Sequence, residues 1–248
     1  MTALPLALIA GGVVGLALGG LGGGGSMLAV PALIYLLRFS PSQATTASHL
    51  IVAATSLTGL LAHARAGRVR WRIGTVFAAA GLPAAAATGA ISAHLPGALL
   101  TTAFALSAGL AAWRMLVPGP DTVPGTAVGP GKTAAAGSGL GALTGLLGVG
   151  GGFLTVPALV SALALPMAEA IGTSLLVISA NSLAALIPRL GGTGAIDWSV
   201  VGPFTGTAIL GAWEGKRWAE KLSDRTVQKI VAIALLAVAA LMLIDALR

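Results

Sequence analysis

The chain has 248 residues, of which 56% are hydrophobic and only 8% charged, and its mean hydropathy is +0.95. Soluble domains carry roughly 25% charged residues, and fourteen bases with seven acids cannot hydrate a globule of this size, so a soluble fold is excluded and an integral membrane protein is expected. The net charge of +7 does not argue for nucleic acid as a partner, because the bases lie in short patches between apolar runs, where they act as topology signals. Cys is absent, which removes disulfide, iron–sulfur and zinc–thiolate chemistry, and no cofactor is expected.

In chain order, the first apolar run is Leu4 to Leu37, interrupted by glycines from Gly19 to Gly25. Runs at Ala44–Ala64, Ile73–Ala93 and Leu99–Val117 follow, each near the length that spans a bilayer. A Pro- and Gly-rich stretch over 118–132 reads as a linker. Beyond it lie Thr133–Leu163, again broken by Gly148, Gly150, Gly151 and Gly152, and then Ala168–Pro188, Val200–Trp213 and Val227–Leu247. No Lys or Arg precedes Arg38, so a cleaved signal peptide is not expected.

The two halves repeat. Residues Gly22 to Leu33 align without a gap on Gly148 to Leu159, and Gly15 and Gly19 fall on Gly141 and Gly145 at the same offset. Pro41 answers Pro166, Ala47-Ser48-His49-Leu50 answers Gly172-Thr173-Ser174-Leu175, and Gly67 to Trp71 answers Gly194 to Trp198. Recurrence of this whole order marks a duplicated, transporter-like architecture. The expected organisation is a first transmembrane repeat over 1–117, a cytoplasmic linker over 118–132 and a second, inverted repeat over 133–248.

Charge sets the expected orientation. Arg65, Arg68, Arg70 and Arg72 lie between the second and third apolar segments of the first half, whereas in the second half Lys216, Arg217, Lys221, Arg225 and Lys229 lie one loop further on. Because positive loops face the cytoplasm, the halves are read as oppositely oriented. Re-entrant Gly-rich segments, with three full crossings per half, place eleven Lys and Arg inside and leave Arg38, Arg189 and Arg248 outside. A conventional eight-span chain with a weakly biased second half is the alternative. The inverted reading makes an all-α, multi-pass protein of the inner (plasma) membrane, with the linker and both basic loops, Arg65–Arg72 and Lys216–Lys229, cytoplasmic.

Non-helical backbone at membrane depth is tolerated where it is packed in protein or lines a wet cavity. After each glycine run the chain restarts as a short half-helix, Ser26–Leu37 or Phe153–Leu163, whose first N–H groups lack intrahelical partners. Glycines before such an end let an anion approach those N–H groups. The candidate substrate site therefore comprises Gly22, Gly23, Gly24, Gly25 and Ser26 with Gly148, Gly150, Gly151 and Gly152. The competing reading is close helix packing, which suits Gly11, Gly15, Gly19, Gly141 and Gly145 better. Neither run continues into Gly-Lys-Ser/Thr, so a P-loop is excluded.

Polar residues on the following helices complete the candidate set: Ser48, His49 and Ser56 in the first half, Thr173, Ser174 and Asn181 in the second. Neutral donors suit a site that holds an anion yet releases it, although each hydroxyl could instead bond back to its own helix. His49 reads equally as a donor, a proton carrier or a satisfied interior histidine. Glu169, at a helix start, is assigned a capping or dipole role. Trp71, Trp198, Trp213 and Trp218 flank loops, as in an interfacial belt. No metal site and no catalytic residue is assigned.

The duplicated Gly-x-Gly-Gly-Gly-x-x-x-Val-Pro-x-Leu element, strict at Gly148–Leu159 and looser at Gly22–Leu33, resembles the sulfite exporter TauE/SafE family of membrane permeases. Gly172-Thr173-Ser174-Leu175 and its near-copy at Ala47–Leu50 agree, as does Gly-x-(Val/Ile)-x-Trp after each second helix. The resemblance implies transport, often outward, of small sulfur-containing anions such as sulfite, thiosulfate or organosulfonates. Ser26 and His49 depart from that pattern in the first copy. The alternatives are a transporter of the same build for another small anion such as a carboxylate, an intramembrane enzyme, or a non-transporting assembly factor. No His-Glu-x-x-His or Gly-x-Ser-x-Gly motif supports an enzyme. Expected partners are a small anionic substrate and the lipid bilayer, with room for a homo-oligomer.

Overall fold

The structure is a computed structural model, describing residues 3–22, 28–30, 32–92, 129–147, 152–186 and 197–246, with isolated positions between 102 and 116. Among the described residues all regular structure is helical. The first half contains α1 (Ala3–Leu21), the π-helical turn α2 (Ala32–Leu36), α3 (Pro41–Arg65) and α4 (Trp71–Ser92). The second contains α5 (Pro130–Leu147), α6 (Gly152–Ser161), α7 (Met167–Leu186), α8 (Trp198–Lys221) and α9 (Asp224–Ala246). In the first long apolar run the helix ends at Leu21, where Gly22 turns with φ +69°.

Local chemistry sets the ends of these helices. At α3, Ser40 Oγ accepts from the Gln43 N–H at 3.4 Å while Gln43 Oε1 accepts from the Ser40 N–H at 3.3 Å, a reciprocal cap reinforced by Pro41 in the first turn. The helix closes through Gly67, at φ +70°, with Gly67 N–H bonded to Ala64 O and Arg68 N–H to His63 O, each at 3.0 Å. Asp197 caps α8 by accepting from the Ser199 N–H at 3.1 Å. The repeat extends to unusual backbone: Arg38 (φ 60°) precedes a Phe39 N–H to Leu33 O bond of 3.0 Å, and its repeat partner Ala164 (φ 53°) precedes a Leu165 N–H to Leu159 O bond of 3.1 Å.

The helices pair across the halves: α1 lies on α8, α4 on α5, and α3 on α7. Both outer pairs are held by glycine. A Cβ at Gly11 or Gly15 would run into the carbonyl of Phe204 or Ala208, and one at Gly137 or Gly141 into that of Phe77 or Gly81. Gly137 and Gly141 repeat Gly11 and Gly15, just as Phe77 and Gly81 repeat Phe204 and Ala208. The packing role expected of Gly11, Gly15, Gly19 and Gly141 is met by these backbone contacts, with Gly19 lying against Ala212.

Leu4, Ile9, Val13, Leu57, Leu61, Leu210, Ile233 and Leu236 point outward, whereas Leu18, Leu33, Ile51, Leu175, Ile178 and Phe204 fill the interior. An exterior this apolar would aggregate in water and is solvated by lipid. Three helices meet the length and hydropathy of a membrane span among the described residues: Leu4–Leu21, Thr46–Arg65 and Met167–Leu186. Helix α8 outlasts the expected run Val200–Trp213 by two turns. There Glu214 pairs with Arg217 at 2.6 Å and Lys216 with Glu220 at 3.2 Å, i,i+3 and i,i+4 ion pairs that support the added turns.

Candidate functional site

Gly22 ends α1 at φ +69°, a left-handed turn that favours glycine. Two groups of the second half press on it. A Cβ here would lie 2.7 Å from Ser174 Oγ, 2.8 Å from Val156 Cγ2 and 3.4 Å from Ile171 Cα. Val156 belongs to half-helix α6, and Ser174 to the Gly172–Leu175 motif on α7. The break of one half therefore meets the half-helix and the hydroxyl-bearing helix of the other. Gly152, buried, opens α6. Gly23, Gly24, Gly25, Ser26, Gly148, Gly150 and Gly151 lie outside the described residues.

The expected polar residues fall in different settings. Ser174 Oγ, beside Gly22, donates to Ile171 O of its own helix at 2.7 Å. Its neighbour Thr173 is turned to the loop after α3, where its Oγ1 accepts the Arg70 N–H at 3.1 Å. Gly172 makes that approach feasible, since a Cβ there would strike the Arg68 carbonyl. Ser48 is buried and His49 half-buried on α3.

Ser56 meets Ser179 of the other half. Their Oγ atoms are 2.8 Å apart, and Ser56 Oγ lies 3.2 Å from Ala53 O. Ser179 Oγ also lies 2.7 Å from Leu175 O of its own helix, so its one proton serves either that carbonyl or Ser56 Oγ, and both hydroxyls are satisfied in a buried interface. Thr55 Oγ1 donates to Ile51 O at 2.7 Å, the back-bond that competes with a ligand role. Asn181 lies two turns along α7 from Ser174 and lines a cavity of about 10 Å³ with Phe77, Gly81, Gly137, Gly141 and Val177, its Oδ1 without a hydrogen-bond partner among the described residues. This cavity lies at the α4–α5 crossing.

Two polar residues went unremarked in the sequence. Ser179 completes the Ser56 pair, and Thr155 is fully buried on α6, one position from Val156. Thr155 had a legible signal: a hydroxyl in the first turn of the half-helix directly after the glycine run. Ser179 had none, because only the pairing of α3 with α7 singles it out.

At one end of the bundle the halves are tied by charge. Arg70 holds Glu169 through two bonds of 2.8 Å each, which keeps its guanidinium more firmly protonated than usual. Glu169 does stand in the first turn of α7, as a dipole role requires, but it also anchors the loop after α3. Glu220 is shared by Arg68 at 3.0 Å and Lys216 at 3.2 Å. Partial desolvation opposes its ionisation, but the Lys216 hydrogen bond and the charges of Lys216 and Arg68 outweigh this and hold its carboxyl below the usual range. Trp71 and Trp198 occupy matching helix starts and are exposed, as are Trp213 and Trp218. Among the described residues no group of His, Asp or Glu could hold a metal ion.

A helical bundle with an apolar exterior, a helix ended by glycine at the contact between the halves and buried hydroxyls on its facing helices is the build of a membrane transporter. The chain belongs to the sulfite exporter TauE/SafE family, which matches residues 7–242. It is 36% identical over 220 residues to a "Probable membrane transporter protein" of Xylella fastidiosa strain 9a5c, covering 86% of this chain and 84% of that protein. It is 34% identical over 226 residues to a protein of the same description from strain Temecula1, again covering 86% and 84%. No solved structure matches the chain significantly. Membership makes the chain a membrane transporter and not an enzyme.

Proposed function

We propose that this transporter moves small sulfur-containing anions such as sulfite, thiosulfate or organosulfonates, and moves them outward. The observation that carries the reading is the junction of Gly22 with Ser174 and Val156, where elements of both halves converge. In this reading residues 1–117 and 133–248 are inverted repeats, joined by a cytoplasmic linker over 118–132. Their half-helix N-termini present N–H groups and dipole ends to the anion, and Ser174 rotates from the Ile171 carbonyl to add a neutral donor. Ser48 and His49, the repeat counterparts of Thr173 and Ser174, serve the other half-site. With no Lys or Arg in α3 before Arg65 or anywhere in α7, the anion is held weakly enough to leave. An inside-negative membrane favours its exit by about 2.3 kcal/mol per charge per 100 mV.

The test is flux in proteoliposomes loaded with sulfite, thiosulfate, sulfoacetate or small carboxylates. Saturable flux of the sulfur anions, lost on bulky substitution at Gly24 or Gly151, is the expected result. Selective carboxylate flux would move the substrate assignment to the other class of anion. Sulfur-anion flux indifferent to both substitutions would remove the glycine turns from the site. Orientation is tested separately: a cysteine at Thr193 should react with an impermeant probe only from outside the cell.

A further inference from the structure

A second cavity lies where the C-terminal end of α3 meets the charged end of α8. It measures about 320 Å³ and is lined by Ala62, Arg65, Ala66, Trp213, Lys216 and Arg217. Its size is that of a small-ligand site, and its walls combine three cations with an indole ring and two methyl groups. Lys216 pairs with Glu220, which Arg68 shares, and Arg217 with Glu214; Arg65 has no carboxylate partner among the described residues. Four cations against two carboxylates leave the neighbourhood positive.

What lies next to the cavity chooses its occupant. On α3, Leu57 and Leu61 are exposed on the stripe that reaches Arg65, and on α8 Leu210 and Trp213 are exposed on the stripe that reaches Arg217. Two apolar tracks thus lead from the bilayer into one set of cations. A soluble anion has no use for the tracks, whereas a molecule with an acyl tail and an anionic head uses both parts. We propose that this cavity binds the phosphodiester head group of an anionic phospholipid, whose acyl chains lie along Leu57, Leu61 and Leu210. The head group neutralises the surplus charge and bridges α3 to α8, fixing the two halves together at this end. Its lining shares no residue with the substrate junction at Gly22.

The full-length protein, purified and stripped of lipid, is titrated with phosphatidylglycerol or phosphatidylcholine and the bound lipid counted by native mass spectrometry. The wild type should retain one phosphatidylglycerol in preference to phosphatidylcholine. Arg65→Gln/Arg217→Gln should lower that preference about 30-fold, at roughly fivefold per cation. Arg72→Gln/Arg225→Gln, which changes exposed bases outside the cavity, should leave it intact. If the first variant does not fold, brominated phosphatidylglycerol added to the wild type should quench tryptophan fluorescence more than brominated phosphatidylcholine, and Trp213→Phe should abolish the difference. Equal retention of both lipids, or a preference unchanged by losing Arg65 and Arg217, would overturn the proposal. So would displacement of phosphatidylglycerol by millimolar inorganic phosphate, since the cavity would then belong to free anions.

Discussion

Ser179 Oγ lies 2.8 Å from Ser56 Oγ, and this hydroxyl pair links α3 of the first half to α7 of the second inside a buried interface. The wall around it is apolar, with Ile51, Leu175 and Ile178 fully buried. A double-mutant cycle with Ser56→Ala and Ser179→Ala, read by reversible denaturation in mixed micelles, should give a coupling of about 0.6–1 kcal/mol, the usual worth of an interhelical hydrogen bond in a membrane. Additive single effects would mean that each hydroxyl serves only its own helix.

Two glycines on or beside α1 make a controlled comparison. Gly22 is held at φ +69° against Ser174 and Val156, while nothing lies within 4 Å of a Cβ placed at Gly12. Gly22→Ala should abolish anion flux through combined strain and collision, with a folding cost of about 1–3 kcal/mol. Gly12→Ala should keep flux and gain up to about 1 kcal/mol through better helix propensity. Flux and thermal melting on the same preparations separate loss of transport from loss of folding.

The matched crossings of α1 on α8 and α4 on α5 should fail alike. Gly15→Val drives a side chain into the backbone at Ala208, and Gly141→Val does the same at Gly81. Neither neighbour can yield, because the obstacle is main chain. Each substitution should cost about 3 kcal/mol or more. Folded yield and melting temperature in detergent check this, and a mild effect at one site alone would show that its crossing relaxes.

Stability should respond to acid through Glu220. Its carboxyl titrates below the ordinary glutamate value because Lys216 and Arg68 face it. A carboxyl with a depressed folded pKa stabilises the fold above the unfolded value of about 4.3 and loses that contribution as pH falls through the lower folded value. The melting-temperature gap between the wild type and Glu220→Gln should therefore be full at neutral pH and close as pH drops below about 4. A gap that persists in acid would show that Glu220 acts by packing rather than by charge.

The amino-acid sequence alone determined the membrane environment, the helical class, the end of the first helix at its glycine run and the internal repeat. Each rests on local properties: apolar length, the backbone freedom of glycine, and capping residues such as Ser40 and Asp197. The same locality explains why Gly11, Gly15 and Gly141 were legible as packing positions, since small residues at helical spacing announce a close crossing. Which helix each crossing meets was decided only by tertiary structure. Gly15 lies against Ala208 of the other half, Thr173 holds the Arg70 N–H, and Glu169 binds the Arg70 guanidinium. A hydroxyl or carboxylate carries no mark of its partner along the chain. When those partners sit about a hundred residues apart, only the packing of the intervening helices brings them within hydrogen-bond reach.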